Sequence, residues 1–221
     1  MAALFRRSLS LVLMPALFAV VIHPASAHPH VFVDGGVDFV FREGRTLEAL
    51  NVTWIYDEFE TLYLLSSYGL SLNREGELDE ADRKELVRLR SDWPEDFDGS
   101  AHLTLDETEV ELDWPTNLDL HLVDGRLQAT FTRRLSNPIT VDEQILELAF
   151  YESTYFYAFS ITNHPKVLGD QGRCLASMVP FDLDAKLASL QSTLAKLSRE
   201  ETPQTENVGA LFADRIALIC E

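Results

Sequence analysis

Apolar residues alternate with polar or small ones across residues 30–41, and again across residues 47–56, where Leu50, Val52, Trp54 and Tyr56 share one face. Successive side chains of a strand point to opposite faces, so this period of two predicts two strands. The Glu43-Gly44-Arg45 stretch between them predicts a turn, and hence an amino-terminal hairpin. Residues 91–99 form the best internal boundary, and short alternating segments follow at 102–105, 110–112, 118–123, 127–135, 145–151, 155–161 and 174–179. Asp124-Gly125 is a strong hairpin turn within this series. The aromatic run 151–159 reads as sheet core with a hairpin in it rather than as a pocket wall.

Helical spacing replaces alternation elsewhere. Asp57-Glu58-Phe59-Glu60 opens a helix reaching about residue 68, with acids in the first turn favoured by the helix dipole and Phe59, Leu62, Tyr63 and Leu65 expected inward. A second helix spans 80–90, with Leu86, Leu89 and Trp93 on one face. Leu183, Leu187, Leu190, Leu194 and Leu197 give another apolar seam, and residues 208–219 read as a final helix with Leu211, Phe212, Ile216 and Ile219 inward. The expected class is α+β: an antiparallel, sandwich-like sheet system with an EF-hand-like helix–loop–helix inserted at about 57–92 and carboxy-terminal helices.

The amino terminus changes the picture. Arg6 and Arg7, the apolar run 9–22 and Ala25-x-Ala27 have the form of a secretory signal peptide. The run is broken by Pro15 and is too short to span a bilayer core of about 30 Å. Arg6-Arg7-Ser8-Leu9 matches only part of a twin-arginine signal, so the general secretory route is expected. Cleavage after Ala27 leaves residues 28–221 as a single domain in the periplasm, without a membrane span. The signal carries two arginines and no acid, so the formal charge moves from −18 to −20 on its removal. A chain this acidic does not bind nucleic acid or an anionic membrane surface by charge. In an oxidising compartment Cys174 and Cys220 are expected to form a disulfide worth about 4 kcal/mol in the chain-entropy view.

Candidate chemistry begins where the mature chain would begin. A free α-amino group and the ring of His28 form a bidentate nitrogen chelate, and His30 adds a second imidazole, a set suited to copper, nickel, cobalt or zinc. Pro29 lacks the amide hydrogen that a square-planar terminal copper or nickel site must lose. A carboxylate, with Asp57 and Glu58 as candidates and Glu60 beside them, or a remote histidine among His102, His121 and His164, completes the shell. A second pattern is calcium-like: Ser71, Asn73, Glu75, Glu77, Asp79 and Asp82 bear oxygens around Gly76 at EF-hand spacing. Ser71 replaces the usual first aspartate and Asp82 the bidentate glutamate, so calcium or magnesium is held weakly and a bare helix–loop–helix is the preferred reading.

Several of these features together resemble an exported bacterial family catalogued as domain of unknown function 1007. They are Ala27-His28-Pro29-His30-Val31-Phe32-Val33, Trp54-Ile55-Tyr56-Asp57-Glu58-Phe59, the glycine-centred acidic loop, the 151–157 segment and the closing 213–220 stretch. The resemblance implies a periplasmic component of a transport system associated with nickel and cobalt type permeases. The leading expectation is therefore a non-enzymatic transition-metal-binding accessory of a membrane metal permease. One alternative is a copper-dependent redox enzyme built on the terminal histidine; another is a permease-docking module that uses no metal.

Overall fold

A computed structural model of the chain describes residues 29–93, 97, 99–170, 172–179 and 207–221. The expected signal peptide, His28 and the leucine seam of 183–197 lie outside the described residues. In chain order the elements are β1 (Val31–Arg42), β2 (Thr46–Tyr56), α1 (Glu58–Ser67), α2 (Glu80–Arg90), β3 (Ala101–Leu105), β4 (Thr108–Val110), β5 (Thr116–Val123), β6 (Arg126–Thr140), β7 (Ile145–Phe150), β8 (Tyr157–Ile161), β9 (Lys166–Gly169), β10 (Cys174–Met178), α3 (Val208–Phe212) and β11 (Arg215–Cys220). The α+β class stands, with strands predominating.

Among the described residues the strands form two sheets. The first has the order β5-β6-β2-β1-β8, with β9 also paired to β1; the second has the order β10-β11-β7-β3-β4. The predicted β1–β2 hairpin is present, with Val37 opposite Val52 and Phe39 opposite Leu50. Asp124 and Gly125 make the β5–β6 turn with φ of 51° and 78°. The second sheet is antiparallel throughout, but the first is mixed, because β8 and β9 both run parallel to β1. This corrects the expectation of a wholly antiparallel system. Alternation reveals a strand's faces but not the direction of its neighbour.

The change of partner along β1 happens at Gly35-Gly36. The Gly35 carbonyl accepts the Thr162 and Asn163 amides as the chain leaves β8. A Cβ on Gly36 would lie 2.5 Å from Cβ of Asn163, so only glycine lets the β8–β9 connection pass this close. Inward residues of both sheets then meet in one apolar core that includes Phe39, Leu50, Leu127, Leu148, Phe150 and Leu218.

Three further expectations are corrected. The helix predicted for 208–219 is only the short α3; Ile216, Leu218 and Cys220 are buried while Ile219 is exposed, which is the period of two that β11 requires. A sparse set of apolar positions fits both periods, and pairing with β7 and β10 decides between them. Residues 151–159 form no hairpin, because β7 and β8 belong to different sheets. On α1, Leu65 is buried as expected, but Phe59, Leu62 and Tyr63 face outward, and Thr61 and Leu64 are the other inward residues. Thr61 is turned inward by a specific bond: its hydroxyl oxygen accepts the Leu127 amide at 2.9 Å. The Cys174–Cys220 disulfide is formed, and it joins neighbouring strands rather than a strand and a helix.

Candidate functional site

The candidate site lies where β1 begins, β2 ends and the two helices leave the sheet. Because β2 runs directly into α1, Asp57 has to bridge the two elements. It adopts an extended backbone as the helix N-cap, accepts the Glu60 amide on Oδ1 at 2.8 Å and the Phe32 amide on Oδ2 at 2.8 Å. One carboxylate thus satisfies a helix-end donor and pins the helix to the first strand. Glu58 is exposed, and Glu60 is half-buried in the first turn of the helix.

His30 is held from the other side. Its amide donates to the Phe156 carbonyl at 2.9 Å, and its ring lies 4.9 Å from that of Phe156. The turn that presents Phe156 is organised by Glu152, whose carboxylate accepts the Thr154 and Phe156 amides at 2.9 and 2.8 Å and the Thr154 hydroxyl at 2.8 Å. Tyr155 within it takes a φ of 62°. Burial works to raise the Glu152 pKa, but these donors outweigh it and hold the carboxyl below its ordinary 4.5. A lowered folded-state pKa contributes stability above the unfolded value, which fades as pH falls through the folded one. Glu152→Gln is therefore expected to cost about 1–2 kcal/mol at pH 7, allowing for partial exposure. In urea titrations repeated at decreasing pH, that gap is expected to close below pH 4.5; a gap independent of pH would contradict it.

Between these two arms stands Arg90, the last residue of α2. Its guanidinium is set against the hydroxyls of Tyr56 and Tyr68; burial works to lower its pKa, and the two phenols more than offset this. Burial likewise raises the pKa of Tyr56, against the opposing effect of Arg90, and pushes that of Tyr157 up to about 12. Glu60 is raised by burial and further by the charge of Asp57, against the pull of Arg90.

Two cavities meet at this cluster. The outer one, about 690 Å³, is lined by His30, Glu60, Tyr63 and Phe156 among others; the inner one, about 350 Å³, is walled by Trp54, Trp93, Phe97 and Phe159. Tyr68, Arg90 and Tyr157 belong to both. The aromatic run at 151–159 thus supplies cavity wall as well as core.

The remaining predicted residues sit elsewhere. His102 stacks on Tyr151 at 3.6 Å, and His121 pairs with Asp119 at 2.8 Å. His164 lines a separate cavity beside Gly36 and Asp38, and none of these three histidines lines the cavity of His30. Among the described residues no three His, Cys, Asp or Glu side chains come together as a metal cluster. The Ser71–Asp82 loop is braced internally: Asn73 Oδ1 accepts the Glu75 and Glu77 amides at 2.9 Å, Gly76 has a φ of 81°, and Asp79 caps α2 through the Ala81 and Asp82 amides. Ser71, Glu75 and Glu77 are exposed and Asp82 is half-buried.

Sequence reading missed the Arg90 cluster, although a signal was present. Leu86, Leu89, Arg90 and Trp93 follow the i, i+3, i+4, i+7 spacing of one helix face, so an arginine occupies a seam position where an apolar residue is expected.

A family model described as protein of unknown function (DUF1007) matches residues 13–220. An uncharacterized protein of Haemophilus influenzae is 22% identical over 202 residues, covering 88% of this chain and 92% of the relative. No described helix is long and apolar enough to cross a membrane.

Proposed function

The chain belongs to the DUF1007 family, and from that premise we propose that it is an exported, periplasmic transition-metal-binding accessory protein of a nickel, cobalt, zinc or copper transport system. One observation carries the reading: His30, next but one to the expected mature terminus, lines the same cavity as the carboxylate of Glu60. The donors would be the terminal amine and ring of His28, the ring of His30 and Glu60. Asp57 serves this set as a positioning residue, since both its oxygens already accept backbone amides. Such nitrogen-rich ligands suit late first-row divalent cations. A cation at the mouth of the cavity would also offset the burial that disfavours ionised Glu60. A metal-handing role is preferred to copper redox chemistry because the second remote ring which that chemistry calls for does not line this cavity.

The outward face of α1 supports a partner. Phe59 is 85% exposed, with Leu62 and Tyr63 beside it on the helix and Phe32 tied to the helix start through Asp57. Exposed apolar side chains grouped in this way mark contact surfaces, and a membrane permease is the partner that this reading assigns.

The test is metal titration of protein beginning at His28, beside a version with one alanine added before that residue. Copper, nickel, cobalt or zinc is expected to bind one per chain, at least tenfold more tightly to the first form, with Glu60→Gln weakening it further. Equal affinities for the two forms would remove the terminal chelate and the transport reading with it.

A further inference from the structure

The inner cavity has its own chemistry, independent of the terminal metal site. Arg45, Arg83, Arg88, Arg126 and Arg215 each pair with a carboxylate, as expected in a chain with 36 acids and 18 lysines and arginines. Arg90 differs. Its partners are the neutral hydroxyls of Tyr56 and Tyr68, and among the described residues it forms no ion pair, although it is half-buried at the junction of two cavities. Withdrawing a cation from water without a counter-charge is costly, and surrounding acids were abundant enough to supply one. Of the described acids, Glu60 lines the outer cavity with Arg90 and feels its charge without forming an ion pair with it, and Asp92 lines the inner cavity and is exposed.

Most of the rest of the inner cavity is aromatic, with Leu89, Asp92 and Ser100 completing the lining. Trp93 stacks on Phe97 at 4.6 Å with their planes 8° apart, and Trp54 meets Phe131 edge-on at 4.8 Å and tilts against Phe159 at 5.4 Å. Trp54 is 5% exposed, and its indole N–H has no acceptor among the described residues. A buried donor left unpaired is rare in folded proteins and calls for an explanation. Flat ring walls and a guanidinium match a ligand with a planar apolar body and a planar anionic head. The volume of about 350 Å³ falls within the range of small-molecule sites.

We propose that the inner cavity is a binding site for a small organic carboxylate with a planar, apolar body, its carboxylate held by Arg90 and its body between Trp93, Phe97 and Trp54. The phenols that flank Arg90 orient the guanidinium, and Glu60 feels its charge from the outer cavity without pairing with it, so the side toward the inner cavity remains for the ligand. Tyr68 and Tyr157, shared with the outer cavity, set the limit on how far the ligand extends toward His30.

The experiment uses metal-free protein, so its outcome does not depend on the terminal chelate, and three probes: benzoate, benzamide with the same ring and no charge, and acetate with the charge and no ring. Calorimetry and ligand-observed NMR are expected to give one benzoate per chain, bound at least tenfold more tightly than either of the others. Arg90→Met is expected to weaken benzoate at least tenfold and bring it level with benzamide. Trp93→Leu, which keeps the cation and removes a ring from a half-buried position, is expected to weaken benzoate severalfold while leaving the far-UV spectrum unchanged. Benzoate and benzamide binding alike, no saturable benzoate binding, or benzoate affinity unmoved in a folded Arg90→Met protein would each overturn the proposal. If Arg90→Met does not fold, the benzoate–benzamide comparison and Trp93→Leu decide.

Discussion

Phe39→Ala is expected to lower the unfolding free energy by about 3–5 kcal/mol, the range seen when a large ring is removed from a close-packed interior. Phe39 is fully buried in β1, opposite Leu50 of β2 on one side and Val167 of β9 on the other, and it belongs to the core shared by both sheets. Strands on both flanks limit collapse into the vacated space, so the cavity term adds to the lost transfer free energy. Domains of this kind are stable by only about 5–15 kcal/mol, so a large share of the total is at stake. Phe32→Ala on the same strand is the control. Phe32 is 56% exposed, and its replacement is expected to change stability by no more than about 0.5 kcal/mol. Urea unfolding of both variants checks the pair; similar losses would mean that the burial of β1 is misassigned.

Removal of the Cys174–Cys220 disulfide is the second large effect. The two residues face each other across β10 and β11 and are 46 positions apart in sequence. The cross-link therefore closes a long loop in the unfolded chain, and its loss is expected to cost about 4 kcal/mol. Cys220 is buried within the core cluster, and β11 lies between β10 and β7, so the bond ties an edge strand to an interior one. The double alanine variant is expected to keep its strand content and to unfold at a clearly lower urea concentration. Reduction of the native protein should reproduce the shift. A shift corresponding to less than about 1 kcal/mol would contradict the loop-closure account, because it would require the unfolded chain to keep those strands close without the bond.

Much of the fold was legible in particular residues. The inward set of β2 could be read directly because alternation there is strict and long: Leu50, Val52, Trp54 and Tyr56 are all buried. The start of α1 was legible from the acids of its first turn and α2 from its apolar spacing, whereas Asp79, read as an oxygen of the calcium-like loop, proves to cap α2. The errors arose where local spacing supports two structures. On α1, Phe59, Leu62 and Tyr63 are as apolar as a buried face, yet the hydroxyl of Thr61, wanted by the Leu127 amide, decides which way the helix turns. At 215–220 the short run fits helix or strand, and the open edges of β7 and β10 settle it. The candidate site divides in the same way: His30 and Asp57 were visible as residue types, while their partners Phe156 and Phe32 were not.

By itself the sequence determined what each segment can be: which stretches alternate, where chains turn, which residues carry charge, and that the cysteines can pair. Those properties are local, arising from side-chain direction, backbone dihedrals and composition, and they hold without knowledge of any neighbour. Only the tertiary structure decided that β8 and β9 run parallel to β1, that α1 shows its aromatic face outward, and that Arg90 stands between two cavities with phenols rather than acids beside it. Each of these depends on groups distant in sequence competing for the same space and the same hydrogen bonds, and that competition is resolved only when the chain is packed.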